Sequence, residues 1–453
     1  MKSLPNTITA VAPLLRRGDL TPTDLVEACF ERIDRYEPKV HAWVYLDRER
    51  ALTDARKLTA ELQTGQDRGL LHGIPVGIKD IIDVFDMPTG CGSKLWANSY
   101  ARKDATCVAR LRQAGAIILG KTVTTPYAFL DPPPTRNPWN LERTPGGSSS
   151  GSAAAVACGM CYAALGTQTG GSVTRPASFC GVYSFKPRHG TVSVEGVLPL
   201  APRLDHVGMM AKSIRDLAII YQAISGPDSR IGFTFNGHSP ILNSLQAIDQ
   251  VDEVEQPELM ILGGLFDERL HPEVRPHYER VVALFDRNLA AMLRVVPPAD
   301  FNTVLKMQRV MMATEAAQVH QDRFRRHPED YPFKIRELIE EGLSLPAVSY
   351  SMALTHSEEV EDLVTRMLGG LRYFVTPAAP SAASGVETTG DASFNAPWSF
   401  TGHATVSLPY GWTDDGLPLA IQVVGSPGCD DDLFQAAAWC ERILDFQPRP
   451  LPL

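Results

Sequence analysis

The sequence carries no excess of positive charge. Its 453 residues include 43 Lys and Arg against 52 Asp and Glu, which gives a formal net charge of −9. Proteins that bind nucleic acid usually present a basic patch, so this balance argues against a nucleic-acid partner. The start of the chain also lacks a basic stretch followed by an apolar one, the pattern of a secretory signal peptide. We therefore expect a cytoplasmic protein.

Long apolar runs are absent as well. The longest weakly polar stretch, 153–165, contains glycine and is too short to cross a bilayer. Hydrophobic residues nevertheless make up 44% of the chain, which is enough for a large buried core. The composition predicts a globular enzyme with no membrane partner.

Signatures of metal and redox chemistry are scarce. Eight cysteines are scattered along a long chain, unlike the dense pattern of a disulfide framework. Cys158 and Cys161 form one C-x-x-C without a second pair, so buried free thiols are favoured over a redox or metal site. The eleven histidines form no H-E-x-x-H. We predict no metal and no cofactor.

One segment matches a nucleotide-binding loop by its letters. Residues 115–122 satisfy G-x-x-x-x-G-K-[ST]. The four residues between the glycines are Ala-Ile-Ile-Leu, however, and are typical of a strand rather than of a phosphate-binding turn. The residues after Lys121 are β-branched and lead to Pro126, so a helix is not expected to begin there. The context disfavours nucleotide binding.

The sequence does contain two glycine-serine loops, 146–152 and 170–172, on either side of an alanine-rich segment. Glycine allows crowded and left-handed backbone conformations, and a serine hydroxyl becomes a nucleophile once a base removes its proton. Flexible linkers are disfavoured because linkers do not alternate with Ala, Val and Leu core material. The pattern indicates a backbone shaped for close approach to a ligand.

A base is available upstream. Ile74, Val76 and Ile78 alternate as in a strand with one buried face, and Lys79 follows them. A lysine in a dry site has its charged form disfavoured, so its pKa falls and it can act as a general base. This segment alone fits an ordinary surface lysine better. Lys79 becomes a candidate base only together with Ser148 and Ser172.

These pieces together resemble the amidase signature family. The matching motifs are G-I-P-V-G-I-K-D at 73–80, P-T-R-N-P at 134–138, P-G-G-S-S-S-G-S-A-A-A-V-A at 145–157 and G-T-Q-T-G-G-S at 166–172. V-T-P-A-A-P at 375–380 and D-G-L-P-L-A-I-Q-V-V-G at 415–425 are similar to the family too. The resemblance covers nearly the whole chain and is weakest between about 225 and 365.

The resemblance implies a Ser–Ser–Lys triad. Ser172 would be the nucleophile that accepts the acyl group, Lys79 the base, and Ser148 the proton relay, held by a cis peptide at Gly147–Ser148. Backbone N–H groups could form the oxyanion hole, and the candidates are those of Thr169, Gly170, Gly171 and Ser172. The relay would let Ser172 attack an amide carbonyl without a histidine.

Two residues beside the nucleophile depart from the family pattern. Gln168 stands where the family usually has Asp, and Thr174 where it usually has Arg, with Arg175 one place later. In the family these two charged residues pair with each other. Because both are replaced here, no buried charge is left without its partner. We expect Gln168 to support the site indirectly and Ser149 to provide a hydrogen bond within its loop.

The resemblance leaves several functions open. It implies a metal-independent hydrolase of a small amide, carbamate or urea-like compound. One alternative is the glutaminase component of a tRNA-dependent amidotransferase, which would have partner subunits. Another is an inactive binding homologue. A homodimer stays open as well.

The fold expected from strands that alternate with helices is α/β, with three α/β/α layers and a central mixed, twisted sheet as in the family. We expect one domain over 1–453: helical at 1–65, a catalytic core at 66–224, a variable helical specificity region at 225–365, and a return to the sheet at 366–453. Helices are predicted at 102–114, 153–165, 213–224, 273–295 and 431–444. Candidate pocket residues are Tyr127, Phe129 and Trp398, and each fits ordinary packing as well.

Overall fold

A single sheet runs through the molecule. The computed structural model describes residues 4–230, 244–249, 256–369, 372–426, 428 and 430–453. Within these residues eleven strands pair in the order β1-β3-β2-β4-β6-β5-β10-β11-β9-β7-β8. Their bounds are β1 Trp43–Leu46, β2 Pro75–Lys79, β3 Ile117–Thr122, β4 Ala163–Gln168, β5 Tyr183–Lys186, β6 His206–Ala211, β7 Glu258–Leu262, β8 Leu293–Val295, β9 Arg372–Pro377, β10 Thr405–Trp412 and β11 Pro418–Val424.

Helices cover both faces of the sheet, which confirms the three-layer α/β prediction. Their bounds are α1 Ile8–Arg17, α2 Pro22–Val40, α3 Arg48–Gln63, α4 Thr106–Gln113, α5 Ser150–Ala157, α6 Thr174–Cys180, α7 Ile214–Ile224, α8 Ser244–Asp249, α9 Leu265–Glu268, α10 Arg275–Asn288, α11 Phe301–Arg326, α12 Phe333–Ser344, α13 Ala347–Met367, α14 Ala396–Phe400 and α15 Asp430–Leu444. No helix of these residues is both long and apolar enough to cross a membrane.

The sheet is mixed, as predicted. Strand β2 runs parallel to β3 and β4, and β7 runs parallel to β8 and β9, whereas the other neighbours are antiparallel. Every residue of β2, β3, β4, β5 and β6 is buried. Strands covered on both faces tolerate polar side chains only where those have partners, so the polar residues at their ends are informative.

The alanine-rich segment forms the short central helix α5, buried along almost its whole length. Its small side chains let neighbouring backbone approach closely. A Cβ at Gly151 would lie 2.2 Å from the Ala42 carbonyl oxygen and 2.3 Å from the Val123 nitrogen. Small residues in this segment therefore bring the helix directly against the backbone just after β3 and just before β1, with the serine loop at the start of the helix.

Four predicted helical stretches were wrong in part. The helix predicted at 153–165 ends at Ala157, and β4 begins at Ala163 after a turn in which Gly159 has a φ of +67°. A short apolar run fits a buried strand as well as a buried helix, and pairing with β2 and β6 decides here. The stretch 273–295 ends in strand β8, 102–105 is not helical, and 1–65 contains β1.

Helix α2 begins with a well-formed cap. Thr21 and Asp24 form a reciprocal capping box, and Pro22 occupies the first turn. The single domain over 1–453 and its four parts remain a prediction. Within its variable part, residues 231–243 and 250–255 lie outside the described residues, as does Cys429 near the end of the chain.

Candidate active site

Lys79 ends strand β2 with its side chain completely buried. Its Nζ lies 2.7 Å from Ser148 Oγ and 2.7 Å from Thr167 Oγ1, and 3.4 Å from the Thr167 carbonyl oxygen. Thr167 lies on β4, the parallel neighbour of β2, so two adjacent strand ends supply the lysine and one of its partners. Sequence reasoning missed Thr167, although it lies inside the G-T-Q-T-G-G-S motif.

Burial lowers the pKa of Lys79 well below its usual value. The carboxyl of Asp205 opposes this shift through its charge. Burial raises the pKa of Asp205 itself to about 7, although Thr169 Oγ1 and the N–H groups of Leu200 and Ala201 donate to it. Burial thus favours the neutral amine of Lys79 more than in an exposed lysine, and a neutral amine can accept a proton.

The loop that carries Ser148 is held from several sides. The Gly147–Ser148 peptide is cis, as the resemblance implied. Gly146 has a φ of +81°, and a Cβ there would lie 2.7 Å from the Cα of Pro176. The Ser148 carbonyl accepts a hydrogen bond from the Thr125 N–H at 3.2 Å. Only glycine fits the conformation and the space available at position 146.

Ser149 joins the serine loop to strand β4 and to the second loop. Its Oγ lies 3.2 Å from both the nitrogen and the carbonyl oxygen of Thr167. Its own N–H donates to the Ser172 carbonyl at 3.3 Å. These contacts place the backbone of residue 172 beside the serine loop.

The loop 169–172 presents free backbone donors. The N–H groups of Gly170, Gly171 and Ser172 donate to no atom of the described residues. The carbonyl groups of this loop, by contrast, have hydrogen-bond partners. The Thr169 oxygen accepts from Gln308 Nε2 at 3.3 Å, and the Gly170 oxygen accepts from Ser399 Oγ at 2.9 Å. The carbonyls are thus fixed while consecutive N–H groups remain available, the arrangement that an oxyanion hole requires.

Gln168 caps the turn that follows Ser172. Its Oε1 accepts from the N–H groups of Val173 at 2.9 Å and Thr174 at 3.0 Å, and its Nε2 donates to Ser399 Oγ at 3.1 Å. A neutral amide satisfies these partners without a counter-charge at Thr174.

Sequence reasoning gave no role to Arg175, which is fully buried beside the serine loop. Its Nη2 donates to the Gly147 carbonyl at 2.7 Å and to Thr389 Oγ1 at 3.4 Å, while Nε and Nη1 have no partner within the described part of the chain. Burial lowers its pKa to about 10, and Asp391 opposes the shift. Arg175 thus fixes the carbonyl that precedes Ser148.

The segment around 389–395 covers both loops. A Cβ on Gly147 would lie 2.8 Å from Thr389 Cγ2, and one on Gly171 would lie 2.6 Å from Asn395 Oδ1. Asn395 is buried and donates through Nδ2 to the Ala378 carbonyl at 2.8 Å. Long-range contacts of this kind have no signal in a single sequence.

The three candidate pocket residues have separate surroundings. Tyr127 is buried; its hydroxyl donates to Asp330, and its ring stacks on Tyr331 with centroids 4.4 Å apart. Phe129 is buried with the guanidinium of Arg309 5.7 Å from its ring centroid. Trp398 packs among aromatic rings, namely Phe266, Phe301 and Phe374. Their contact with substrate stays a prediction.

The nucleotide-loop segment forms strand β3 rather than a phosphate-binding turn. Lys121 is buried there, with Nζ 3.1 Å from Asp80 Oδ1 and 2.8 Å from the Pro88 carbonyl oxygen. The cysteines that the structure describes are buried free thiols, and burial raises the pKa of both Cys158 and Cys161. Among the residues that the structure describes, no group of three or more His, Cys, Asp and Glu could hold a metal ion.

Comparison with known proteins adds independent evidence. The Amidase family model matches residues 24–434. The A subunit of glutamyl-tRNA(Gln) amidotransferase from Clostridium botulinum is 32% identical over 94% of both chains. The amidase candidate AmiD of Mycobacterium tuberculosis is 30% identical over 98% of this chain and 96% of its own.

Solved structures agree. A crystal structure of an amidase superimposes with a TM-score of 0.84 at 31% identity, covering 96% of this chain and 99% of that one. The native peptide amidase of Stenotrophomonas maltophilia gives 0.86 at 25% identity, covering 99% and 98%. The chain belongs to the amidase family, the hydrolases that cleave carbon–nitrogen amide bonds.

Proposed function

We propose that the protein hydrolyses an amide-type bond of a small molecule through an acyl-enzyme on Ser172, with Ser148 and Lys79 relaying the proton. The observation that carries the proposal is the contact of 2.7 Å between Lys79 Nζ and Ser148 Oγ, next to a loop with consecutive free N–H groups. The dry surroundings of Lys79 favour the neutral amine that the relay needs.

In the proposed first half-reaction, Lys79 takes the proton of Ser148 while Ser148 takes that of Ser172. Ser172 Oγ attacks the carbonyl carbon, and the oxyanion accepts hydrogen bonds from the loop around Gly170 and Gly171. The carbon–nitrogen bond then breaks, and the nitrogen leaves with the proton returned through Ser148. In the second half, water gives its proton to the relay and its oxygen to the acyl carbon, which releases the acid and free Ser172.

The substrate we propose is an amide, a carbamate or a urea-like compound. Similarity to a peptide amidase supports an amide-bearing substrate but does not select one. The amidotransferase relatives support a second function, the glutaminase component of a tRNA-dependent amidotransferase. That alternative requires partner subunits and release of ammonia from glutamine, whereas a stand-alone amidase acts as the isolated chain.

A binding protein without catalysis is the contrasting proposal. It rests on Gln168 and Thr174, which replace charged residues of the family pattern. The hydrogen bonds of Gln168 to the N–H groups of Val173 and Thr174 keep the turn after Ser172 formed without those charges, so they weigh against an inactive site.

Covalent labelling tests the proposal. A fluorophosphonate probe should add once to the wild-type chain, as seen by intact-protein mass spectrometry, and should fail to add to Ser172→Ala and Lys79→Ala. Ser178→Ala removes a buried hydroxyl six residues further along and should label like wild type. A panel of amides, carbamates and glutamine then separates the two catalytic functions. Failure of the wild-type chain to label would favour the binding protein.

A further inference from the structure

A cavity lies at the far end of helix α5 from the serine loop. Its volume is about 580 Å³, within the range of small-molecule sites. Ala157 and Cys158 at the end of α5 line it, whereas Ser149 precedes the start of that helix. Eight helical residues at a rise of about 1.5 Å each separate the two ends by roughly 12 Å. The cavity is therefore distinct from the site around Ser172.

The wall of this cavity carries positive charge on an acidic protein. Arg32, Arg35, Lys212 and Arg449 line it, against one lining carboxylate, Glu31. None of the four cations forms an ion pair with the described residues. An unbalanced cluster of this kind attracts anions, even though the chain has a net charge of −9.

Two of these cations lie close together without a counter-ion. Arg32 reaches the turn after α5, where a Cβ on Gly159 would lie 2.0 Å from its Nη1. Lys212 Nζ donates to the Ala157 carbonyl at 3.4 Å. Burial, together with the charge of Arg32, lowers the pKa of Lys212 to about 8. A bound anion would relieve this repulsion, whereas water only screens it.

Part of the cavity lining is aromatic. Trp139 and Phe446 line the cavity, and both contact Trp412: Trp139 edge-on with centroids 4.5 Å apart, and Phe446 stacked with centroids 5.4 Å apart. The Trp139 Nε1 donates to the Cys180 carbonyl at 2.8 Å, so the indole is fixed. An occupant that matches both the cationic and the aromatic part of the lining has an anionic group and an apolar body.

We propose that this cavity binds an organic carboxylate with an aromatic or apolar body. The carboxylate would lie between Arg32 and Lys212, where guanidinium and ammonium can both donate to it, and the body would lie against Trp139 and Phe446. The site is independent of the acyl-enzyme chemistry proposed above.

Calorimetric titration with naphthalene-2-carboxylate tests the proposal in the full Ser172→Ala chain, with naphthalene-2-carboxamide as the neutral analogue. We expect the carboxylate to bind and the amide to bind at least about tenfold more weakly, because only the carboxylate gains charge-assisted hydrogen bonds. Arg32→Gln should weaken carboxylate binding by about the same factor, and Arg32→Lys should retain most of it.

Arg56→Gln is the matched control, since Arg56 is an exposed arginine on α3 outside the cavity. It removes the same charge and should leave carboxylate binding unchanged. Removing Arg32 should not lower the thermal unfolding midpoint of the unliganded protein, because it removes repulsion with Lys212. Absence of carboxylate binding, equal binding of carboxylate and amide, or equal effects of Arg32→Gln and Arg56→Gln would overturn the proposal.

Discussion

Two buried lysines on neighbouring strands show that the surroundings of a lysine decide whether it is suited to proton transfer or to an ion pair. Lys79 ends β2 and Lys121 lies on β3, and both side chains are fully buried. Lys121 Nζ lies 3.1 Å from Asp80 Oδ1, so its charge is balanced. Lys79 has two hydroxyls and a carbonyl as hydrogen-bond partners, and no carboxylate of the described residues lies within ion-pair distance of it.

The difference follows from the direction in which each side chain leaves the sheet. Lys121 pairs in register with Ile78, so consecutive residues of β2 place Lys79 on the other face. Burial lowers the pKa of both lysines, but the charge and hydrogen bond of Asp80 oppose the shift at Lys121 directly. Equal burial therefore leaves one lysine suited to proton transfer and the other to an ion pair.

Replacing Lys79 should produce the largest effect. We expect Lys79→Met to lower kcat/KM for an amide substrate by about 10³-fold or more, since a general base contributes about 10²–10⁴-fold and the relay depends on it. Its unfolding midpoint should hardly fall, because methionine removes a buried amine without leaving an unpaired charge. Activity assays and thermal melts on the same preparation check both. Full activity in Lys79→Met would remove the base from the mechanism.

Replacing Lys121 should instead lower the stability of the protein. Lys121→Met leaves Asp80 buried without its cation, which should lower the free energy of unfolding by about 3–5 kcal/mol. Urea denaturation measures the loss. The double variant Asp80→Asn, Lys121→Met should recover much of it, because the amide is neutral. If Lys121→Met were as stable as wild type, the ion pair would not be what distinguishes this lysine.

The contrast between these lysines was only partly accessible from sequence. Alternation in 74–78 predicted a strand that ends at Lys79, and ordered motifs indicated the two serine loops. No feature of the sequence around Lys121 predicted Asp80 as its ion-pair partner. The same letters, G-x-x-x-x-G-K-T, fit a phosphate loop until the strand around them is recognised.

Other parts were inaccessible for a different physical reason. Arg175, Gln308 and Ser399 reach the serine loops from distant elements, and their roles depend on tertiary packing that no single-sequence periodicity encodes. The helix predicted at 153–165 failed because Ala163–Gln168 gains strand pairing on both edges. Tertiary contacts overrode a local pattern in this second case.

Removing one hydroxyl partner of Lys79 should have a smaller effect. Thr167→Val keeps the shape of the side chain but loses the hydrogen bond of 2.7 Å to Nζ. The loss of one such bond, about 0.5–1.5 kcal/mol, should lower kcat/KM by roughly two- to tenfold. Labelling by the fluorophosphonate probe should be slowed by a similar factor. A loss as large as that of Lys79→Met would mean that Thr167 does more than orient the amine.

The smallest effect is a pH dependence. Since burial places the pKa of Lys79 well below 10.5, kcat/KM should fall about tenfold per pH unit only below that lowered pKa. Thr167→Asp would give Lys79 a carboxylate like the one beside Lys121. The pH at which kcat/KM begins to fall on the acidic side should therefore be higher in this variant. A wild-type limb near pH 10.5 would show that Lys79 keeps an ordinary pKa.

The pH dependence of the free energy of unfolding reports on the pKa of Lys79 without an activity assay. Below pH 10.5 the unfolded chain keeps a proton on this lysine, whereas the folded chain keeps one only below the lowered pKa. Between these two values the unfolded state binds more protons, so the free energy of unfolding should rise with pH by about 1.4 kcal/mol per unit from this residue alone. Lys79→Met should lack that slope. Parallel pH profiles for wild type and Lys79→Met would show that burial does not lower the pKa of Lys79 in the folded protein.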